Sequence, residues 1–155
     1  MLPITKDGYQ RLKEKLKSLK DEFARMPAII AEARARGDLS ENAEYHAARE
    51  RQGMLQAHIA KIETDLTNMQ IIDPATLPKD IITFGKTVKL RNTENGEEIT
   101  YHIVGESEAD ISKNEITVTT PIAKGLLTRK QGDTVVIRVP AGEKKYTIIG
   151  ISVNV

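Results

Sequence analysis

The sequence predicts an α+β protein, in which an N-terminal antiparallel α-helical coiled-coil hairpin precedes a small antiparallel β-sheet domain with one short helix. Two stretches before residue 70 repeat apolar residues in alternating steps of three and four, which is a helical period. After two prolines near residue 75, β-branched residues occur instead in short runs between turn residues. We therefore predict a hairpin domain over residues 1–75 and a sheet domain over residues 76–155.

The first helix is predicted from a seam of apolar residues at heptad spacing. Pro27 lies inside this seam and removes one backbone hydrogen bond, so we expect a bend there and not the end of the helix. A helix of about 30 residues, with a rise of about 1.5 Å per residue, is roughly 45 Å long. The seam consists of Tyr9, Leu12, Leu16, Leu19, Phe23, Met26, Ile30 and Ala33.

A second seam with the same spacing predicts a second long helix, which contains Gly53 without an evident reason. The connection between the helices is short, so they must run antiparallel. Gly37 suits the left-handed residue that ends a helix, and Asp38 or Ser40 suits the cap of the next one. The second seam consists of Tyr45, Ala48, Gln52, Leu55, Ile59, Ile62, Leu66 and Met69.

Five β-branched runs predict the antiparallel sheet of the second domain. Asn95 and Gly96 form a dipeptide typical of a hairpin turn. Thr120 followed by Pro121 predicts a helix that begins with a cap and a proline in the first position. The predicted strands are Thr87–Leu90, Ile99–Val104, Glu115–Thr119, Thr134–Val139 and Tyr146–Val153.

The composition limits the classes of function. The formal net charge is +1 and neither half is strongly basic, so autonomous sequence-specific binding to nucleic acid is not expected. The chain has no cysteine, and its three histidines are scattered, which argues against a thiolate zinc site or a disulfide framework. There is no long apolar run and no leader-like N-terminus, so we expect a cytoplasmic protein that does not enter a membrane. We also expect a monomer.

Three carboxylates lie at spacings of three around the predicted start of the second helix: Asp38, Glu41 and Glu44. One interpretation is structural, because Asp38 and Glu41 have the spacing of a capping box and acidic groups are favoured at a helix N-terminus. The other is functional. A pair of carboxylates at the end of a long hairpin can contribute to a Mg²⁺ site that a second macromolecule completes.

Other polar residues surround these acids. Asn42 and Glu44 are candidates for supporting the connection, and Tyr45 for packing near it, although Glu44 is also a candidate third ligand. Four arginines are candidates for contacts with RNA phosphates or with the walls of a partner protein, and pairing with neighbouring glutamates is the alternative. These are Arg34, Arg36, Arg49 and Arg51.

Residues 33–50, ARARGDLSENAEYHAARE, closely resemble the Gre family of bacterial transcript cleavage factors. The resemblance continues through Met69–Asp73, Val104–Glu106 and Pro121–Ala123, so it covers essentially the whole chain. Of the two branches of the family, GreA and the more basic GreB, the near-neutral hairpin resembles GreA. The family fold is a coiled coil followed by an FKBP-like domain, which does not imply prolyl isomerase activity.

The resemblance also implies a function. The FKBP-like domain would dock on bacterial RNA polymerase while the hairpin enters the secondary channel of that enzyme. There Asp38 and Glu41, which match the acidic pair of the family, would hold Mg²⁺ shared with the polymerase active site and stimulate cleavage of the nascent RNA 3′ end after backtracking. The chain would be an accessory factor and not an enzyme, and it would bind no cofactor alone.

Three other functions remain open from the sequence. An inhibitory Gre homologue would occupy the same channel without stimulating cleavage, although retention of both Asp38 and Glu41 favours cleavage. An adaptor coiled coil would use the acids only for helix stability. An independent metal-dependent nuclease would need more ligands or a general base than one connection offers.

Overall fold

The computed structural model describes residues 1–38 and 42–154. The chain divides into two compact units. One unit is Tyr9–Asn68, and the other combines Met1–Gly8 with Met69–Val155. The first eight residues therefore belong to the same unit as the sheet, which no periodicity in the sequence indicated.

Two long helices form the first unit. Helix α1 spans Lys6–Arg34 and continues through Pro27, as predicted, and α2 spans Ala43–Thr67. The predicted seam residues within both helices are buried or partly buried, so the heptad assignment is confirmed for them. Burial of these apolar side chains stabilises each helix against the other. One buried cluster of this unit consists of Met26, Ala48 and Leu55, with Leu19, Phe23 and Ile30 packed around them.

Ion pairs between the helices show that they run antiparallel. Arg51 donates from Nε and Nη2 to the two carboxylate oxygens of Glu22, at 2.7 and 2.8 Å. Lys20 Nζ lies 3.6 Å from Glu63 Oε2. Lys20 precedes Glu22 on α1, whereas its partner Glu63 follows Arg51 on α2. The two helices therefore run in opposite directions.

A short parallel ladder joins the N-terminus to the residues that follow α2. Strand β1 spans Leu2–Ile4 and pairs with β2, Met69–Ile71. The prediction that Met69 belongs to the seam of the second helix is wrong. The helix ends at Thr67, and Met69 is buried in β2. The periodicity misled because a buried strand residue at the right spacing cannot be distinguished from one more helical turn.

The larger sheet has five strands in the order β5-β4-β3-β7-β6. Neighbouring strands are antiparallel, as predicted, except that β5 runs parallel to β4. Residues 104–114 carry the chain back to the edge of the sheet before β5 begins, and this return makes a parallel pair possible. The strands are β3 Lys86–Asn92, β4 Glu98–Ile103, β5 Glu115–Ile116, β6 Thr134–Val139 and β7 Gly142–Val153.

Helix α3, Pro121–Leu126, packs on this sheet. Thr120 is its cap, and the Thr120 hydroxyl accepts a hydrogen bond from Ala123 N at 3.2 Å, as the sequence predicted. Ala123 and Leu126 are fully buried in the sheet core. None of the helices in the described residues is long and apolar enough to cross a membrane.

Candidate functional site at the end of the hairpin

Asn42 is the residue that begins α2. Its Oδ1 accepts a hydrogen bond from Tyr45 N at 3.0 Å, which is the usual interaction of a helix cap. The prediction that Asp38 or Ser40 caps the second helix is wrong. Since α2 starts at Ala43, the capping-box explanation of the acidic pair loses its basis, because the cap is supplied by another residue.

Asn42 also contacts the end of α1. Its Nδ2 donates to Ala33 O at 2.6 Å, and Arg36 N donates to the same carbonyl at 3.2 Å. The last carbonyls of a helix have no partner within the helix, so this bond satisfies one of them. A single amide side chain therefore links the C-terminal end of α1 to the N-terminal end of α2.

The connection leaves α1 through Gly37 and Asp38. Gly37 has a φ of 154°, which is positive but far from the left-handed helical value of about +57° that we expected for it. Asp38 follows and is exposed. Glu41, the other member of the predicted acidic pair, and Ser40 lie outside the described residues.

Arg36 bridges the two helices with both of its terminal nitrogens. Nη2 donates to Glu32 Oε1 at 2.8 Å and Nη1 donates to Glu44 Oε2 at 2.8 Å. The hydrogen bond with Glu44 is the main cause that holds the pKa of the Arg36 guanidinium above its usual range, and Glu32 adds to it. Of the alternatives that the sequence left open for Arg36, the structure places it in ion pairs with neighbouring glutamates.

The other three arginines differ from one another. Arg51 is paired with Glu22 in the two-bond arrangement described above. Arg34 and Arg49 are exposed, and in the described part of the chain they take part in no ion pair or hydrogen bond through their side chains. Tyr45 is partly buried, as expected, and its ring meets that of His46 edge-on at 5.5 Å.

A metal site is not complete within the residues that the structure describes, because these contain no group of three or more histidine, aspartate and glutamate side chains able to hold an ion. Asp38 provides one exposed carboxylate. Mg²⁺ commonly uses one or two protein carboxylates and takes its other ligands from water or phosphate. The donor chemistry of Asp38 therefore fits a Mg²⁺ ion that a partner also holds.

The sheet unit carries a separate apolar groove of about 570 Å³ that the sequence analysis did not identify. Pro121 and Ile122, at the start of α3, line it together with Tyr101 and Ile116. Ile111 stands at its edge with 86% of its surface exposed. One feature of the sequence could have indicated this groove: Ile111 is an isolated apolar residue between polar residues, and it belongs to no predicted strand or helix.

Comparison with known proteins finds matches to transcription elongation factors along almost the whole chain. The family description "Transcription elongation factor, N-terminal" matches residues 2–71, and "Transcription elongation factor, GreA/GreB, C-term" matches residues 77–153. Transcription elongation factor GreA of Anaeromyxobacter sp. (strain K) is 48% identical over 152 residues, which are 97% of this chain and 92% of that protein.

A second relative, transcription elongation factor GreA of Thioalkalivibrio sulfidiphilus (strain HL-EbGR7), is 48% identical over 151 residues, 96% of each chain. The crystal structure of GreA factor homolog 1 of Thermus thermophilus covers 97% of this chain and 98% of its own, with 24% identity and a TM-score of 0.46. The two family models together with the sequence relatives establish the resemblance stated from the residues alone. The chain belongs to the GreA/GreB family of transcription elongation factors.

Proposed function

We propose that this chain binds bacterial RNA polymerase, inserts its hairpin into the secondary channel and stimulates cleavage of backtracked nascent RNA by the polymerase itself. The observation that carries the proposal is the cap of α2. Asn42 supplies that cap, so Asp38 is not needed to start the helix and is exposed at the end of two long paired helices. An exposed acid at the end of two long paired helices is suited to act on a partner.

Asp38 and Glu41 are the proposed site residues. Asp38 and Glu41 would help to hold a second Mg²⁺ together with the polymerase, and that ion would assist phosphodiester hydrolysis as one of the two metal ions of the reaction. The contribution of this chain is to bring two carboxylates to that place and to hold them there. It completes no active site of its own, and cleavage therefore remains an activity of the polymerase.

Arg34 and Arg49 are the proposed contacts with RNA phosphates or with acidic walls of the channel. Both are exposed cations on the helices that flank the connection. Arg36 and Arg51, in contrast, already have carboxylate partners. A phosphate would have to compete with those charge-assisted bonds, whereas Arg34 and Arg49 form no such bond with any residue that the structure describes.

The proposed docking surface on the sheet unit is the apolar groove beside α3. Exposed apolar surface of this kind commonly marks an interaction site. Pro121 and Ile122 lie within the segment that resembles the family, and Ile111 is available at the edge of the groove.

The decisive measurement is RNA cleavage in purified, backtracked elongation complexes. Wild-type protein should accelerate release of 3′ RNA fragments. Asp38→Asn and Glu41→Gln should reduce that acceleration by about tenfold or more. Each substitution removes one negatively charged oxygen ligand of the ion that stabilises the transition state. Binding to the polymerase and helix content should be unchanged.

The matched controls are Asp21→Asn and Glu14→Gln, which remove the same charges from exposed positions on α1. Both should behave as wild type. If the wild-type protein binds without accelerating cleavage, the chain is an inhibitory homologue. If tip and control variants lose activity equally, the acids act only through the overall charge of the hairpin.

A further inference from the structure

The lining of the apolar groove includes the edge strand of the larger sheet. Strand β5 pairs with β4 on one side, and in the described residues no strand pairs with its other side. The carbonyl groups of Asn114 and Ile116 accept hydrogen bonds of 2.9 Å from the β4 side. Because backbone groups alternate in direction along a strand, those of Glu115 and Thr117 point away from β4.

Two of these four outward groups have no partner. Glu115 N donates to Asp110 O and Thr117 O accepts from Thr120 N, both at 3.1 Å. In the described part of the chain, nothing donates to Glu115 O and nothing accepts from Thr117 N. Thr117 lines the groove and exposes only 7% of its surface. A backbone donor without an acceptor is uncommon in so buried a residue, which suggests that a bound molecule supplies the acceptor.

Tyr101 adds a third polar group to the groove. Its ring packs against the sheet core, and its hydroxyl forms no hydrogen bond with any residue that the structure describes. Burial raises the pKa of the Tyr101 hydroxyl, and the neighbouring Tyr146 adds to this shift, so the group keeps its proton at neutral pH. The hydroxyl can therefore donate to a carbonyl.

The charged side chains in the lining are already engaged. Arg138 Nε lies 3.0 Å from Glu143 Oε1, and Glu115 Oε1 accepts from Asp110 N at 3.2 Å. What the groove offers a partner is apolar surface and neutral hydrogen-bonding groups. Its charge complement is an uncharged stretch of polypeptide.

We propose that the groove binds an extended, uncharged segment of the polymerase, which adds to the sheet beside β5. Its backbone bonds to Thr117 N and Glu115 O, and one of its carbonyls accepts from the Tyr101 hydroxyl. An aliphatic side chain of the segment packs against Ile116 and Ile122. The inference rests on the proposed function, to which it adds the chemistry of the docked partner.

A helix in the same groove would meet the apolar side chains but not the free backbone groups. The N–H and C=O groups of a helix bond to one another, so Thr117 N would be buried further without an acceptor. An extended segment at a sheet edge gains affinity from backbone hydrogen bonds and specificity from pockets for its side chains.

Competitive binding of the full-length chain to purified bacterial RNA polymerase tests the hydroxyl. Tyr101→Phe keeps the ring and should weaken binding by about two- to tenfold, the range of one hydrogen bond. Tyr146→Phe is the matched control, because Tyr146 packs against the same core but does not line this groove, and it should bind as wild type. Equal affinity of Tyr101→Phe and wild type overturns the proposal.

Ile111→Ser tests whether the groove is occupied at all. It should weaken binding by about fivefold or more, whereas Val136→Ser, at an exposed position of β6 outside the groove, should not. Both side chains are exposed, so the fold tolerates either change. Wild-type affinity of Ile111→Ser overturns the proposal.

Amide hydrogen exchange at Thr117 distinguishes an extended occupant from a helical one. In the free chain this amide should exchange faster than that of Ile116, which is paired with β4, and in the saturated complex it should slow by about tenfold or more. If Ile111→Ser weakens binding but exchange at Thr117 is unchanged in the complex, the partner docks through apolar contacts alone and the proposal is overturned.

The wild-type protein separates the two possible failures. If it does not bind the polymerase, the proposed function is overturned and this inference with it. If it binds and stimulates cleavage while the groove variants behave as wild type, only this inference is overturned.

Discussion

Asn42 is a cap and a link between helices at the same time. Its oxygen accepts from the start of α2 and its amide nitrogen donates to the end of α1. Asn is suited to both tasks because one side chain carries an acceptor and two donors, whereas Asp carries acceptors only when it is ionised. This chemistry explains why Asn42, and not the neighbouring acid Asp38, begins the helix.

Substitution of Asn42 separates the two tasks. Asn42→Ala removes the cap and the link and should lower the free energy of unfolding of the hairpin by about 1–2 kcal/mol. Asn42→Ser keeps an acceptor for the cap but is too short to repeat the bond to Ala33 O, so its loss should be smaller. Urea unfolding followed by far-UV circular dichroism gives both values. Equal stability of Asn42→Ala and wild type would contradict the capping role.

The hairpin, at the scale of elements, is held by one apolar seam and by interhelical ion pairs. Glu22 and Arg51 form the pair with two hydrogen bonds, and they lie 29 residues apart in the sequence. Arg51 precedes Gly53, where an added Cβ would meet no atom within 4 Å. Close packing therefore does not explain the glycine, and nothing else in the structure does.

The Glu22 pair should make the hairpin sensitive to acid. The hydrogen bond from Arg51 holds the pKa of Glu22 below its ordinary value of 4.5. A depressed carboxyl pKa contributes stability above the unfolded pKa, and this contribution is lost as the pH falls through the folded value. Thermal unfolding between pH 6 and about pH 3 should show a decrease that is smaller in Glu22→Gln. An identical decrease in both proteins would show that other carboxyls dominate.

At the scale of the whole molecule, the proposed function assigns insertion to the helical unit and docking to the sheet unit. The acids lie in the connection of the helical unit, and the apolar groove lies in the sheet unit. The net charge of +1 provides little general attraction to nucleic acid. Within the described residues no group of side chains forms a complete metal site.

Purified protein incubated with RNA and Mg²⁺ should therefore leave the RNA intact when polymerase is absent. The physical reason is that the described residues of the hairpin include no group of three acidic or histidine side chains that could hold a catalytic ion. Fragment analysis after prolonged incubation is the measurement. Cleavage that persists through purification and disappears in Asp38→Asn would show that the chain is itself a nuclease.

Much of the architecture could be predicted because it depends on local patterns. Heptad spacing at Leu12 or Leu55 requires a helix that buries one face, and Thr120 with Pro121 specifies a helix start by its backbone chemistry alone. The strand Thr134–Val139 was predicted with the bounds that the structure shows. The acidic pair and its neighbours were likewise recognisable as a motif, although their proposed function remains a prediction.

The sequence by itself determined the two long helices, the nature of the sheet domain and the family, since periodicity and motif spacing are properties of neighbouring residues. Only the tertiary structure decided that Asn42 caps α2, that Arg36 holds Glu44, that β1 and β2 pair, and that Lys86 is buried with 1% of its surface exposed. Each of these depends on which distant groups meet. Several residues in the sequence satisfy the same local rule, and the choice among them is made by the partner that folding brings within hydrogen-bond distance.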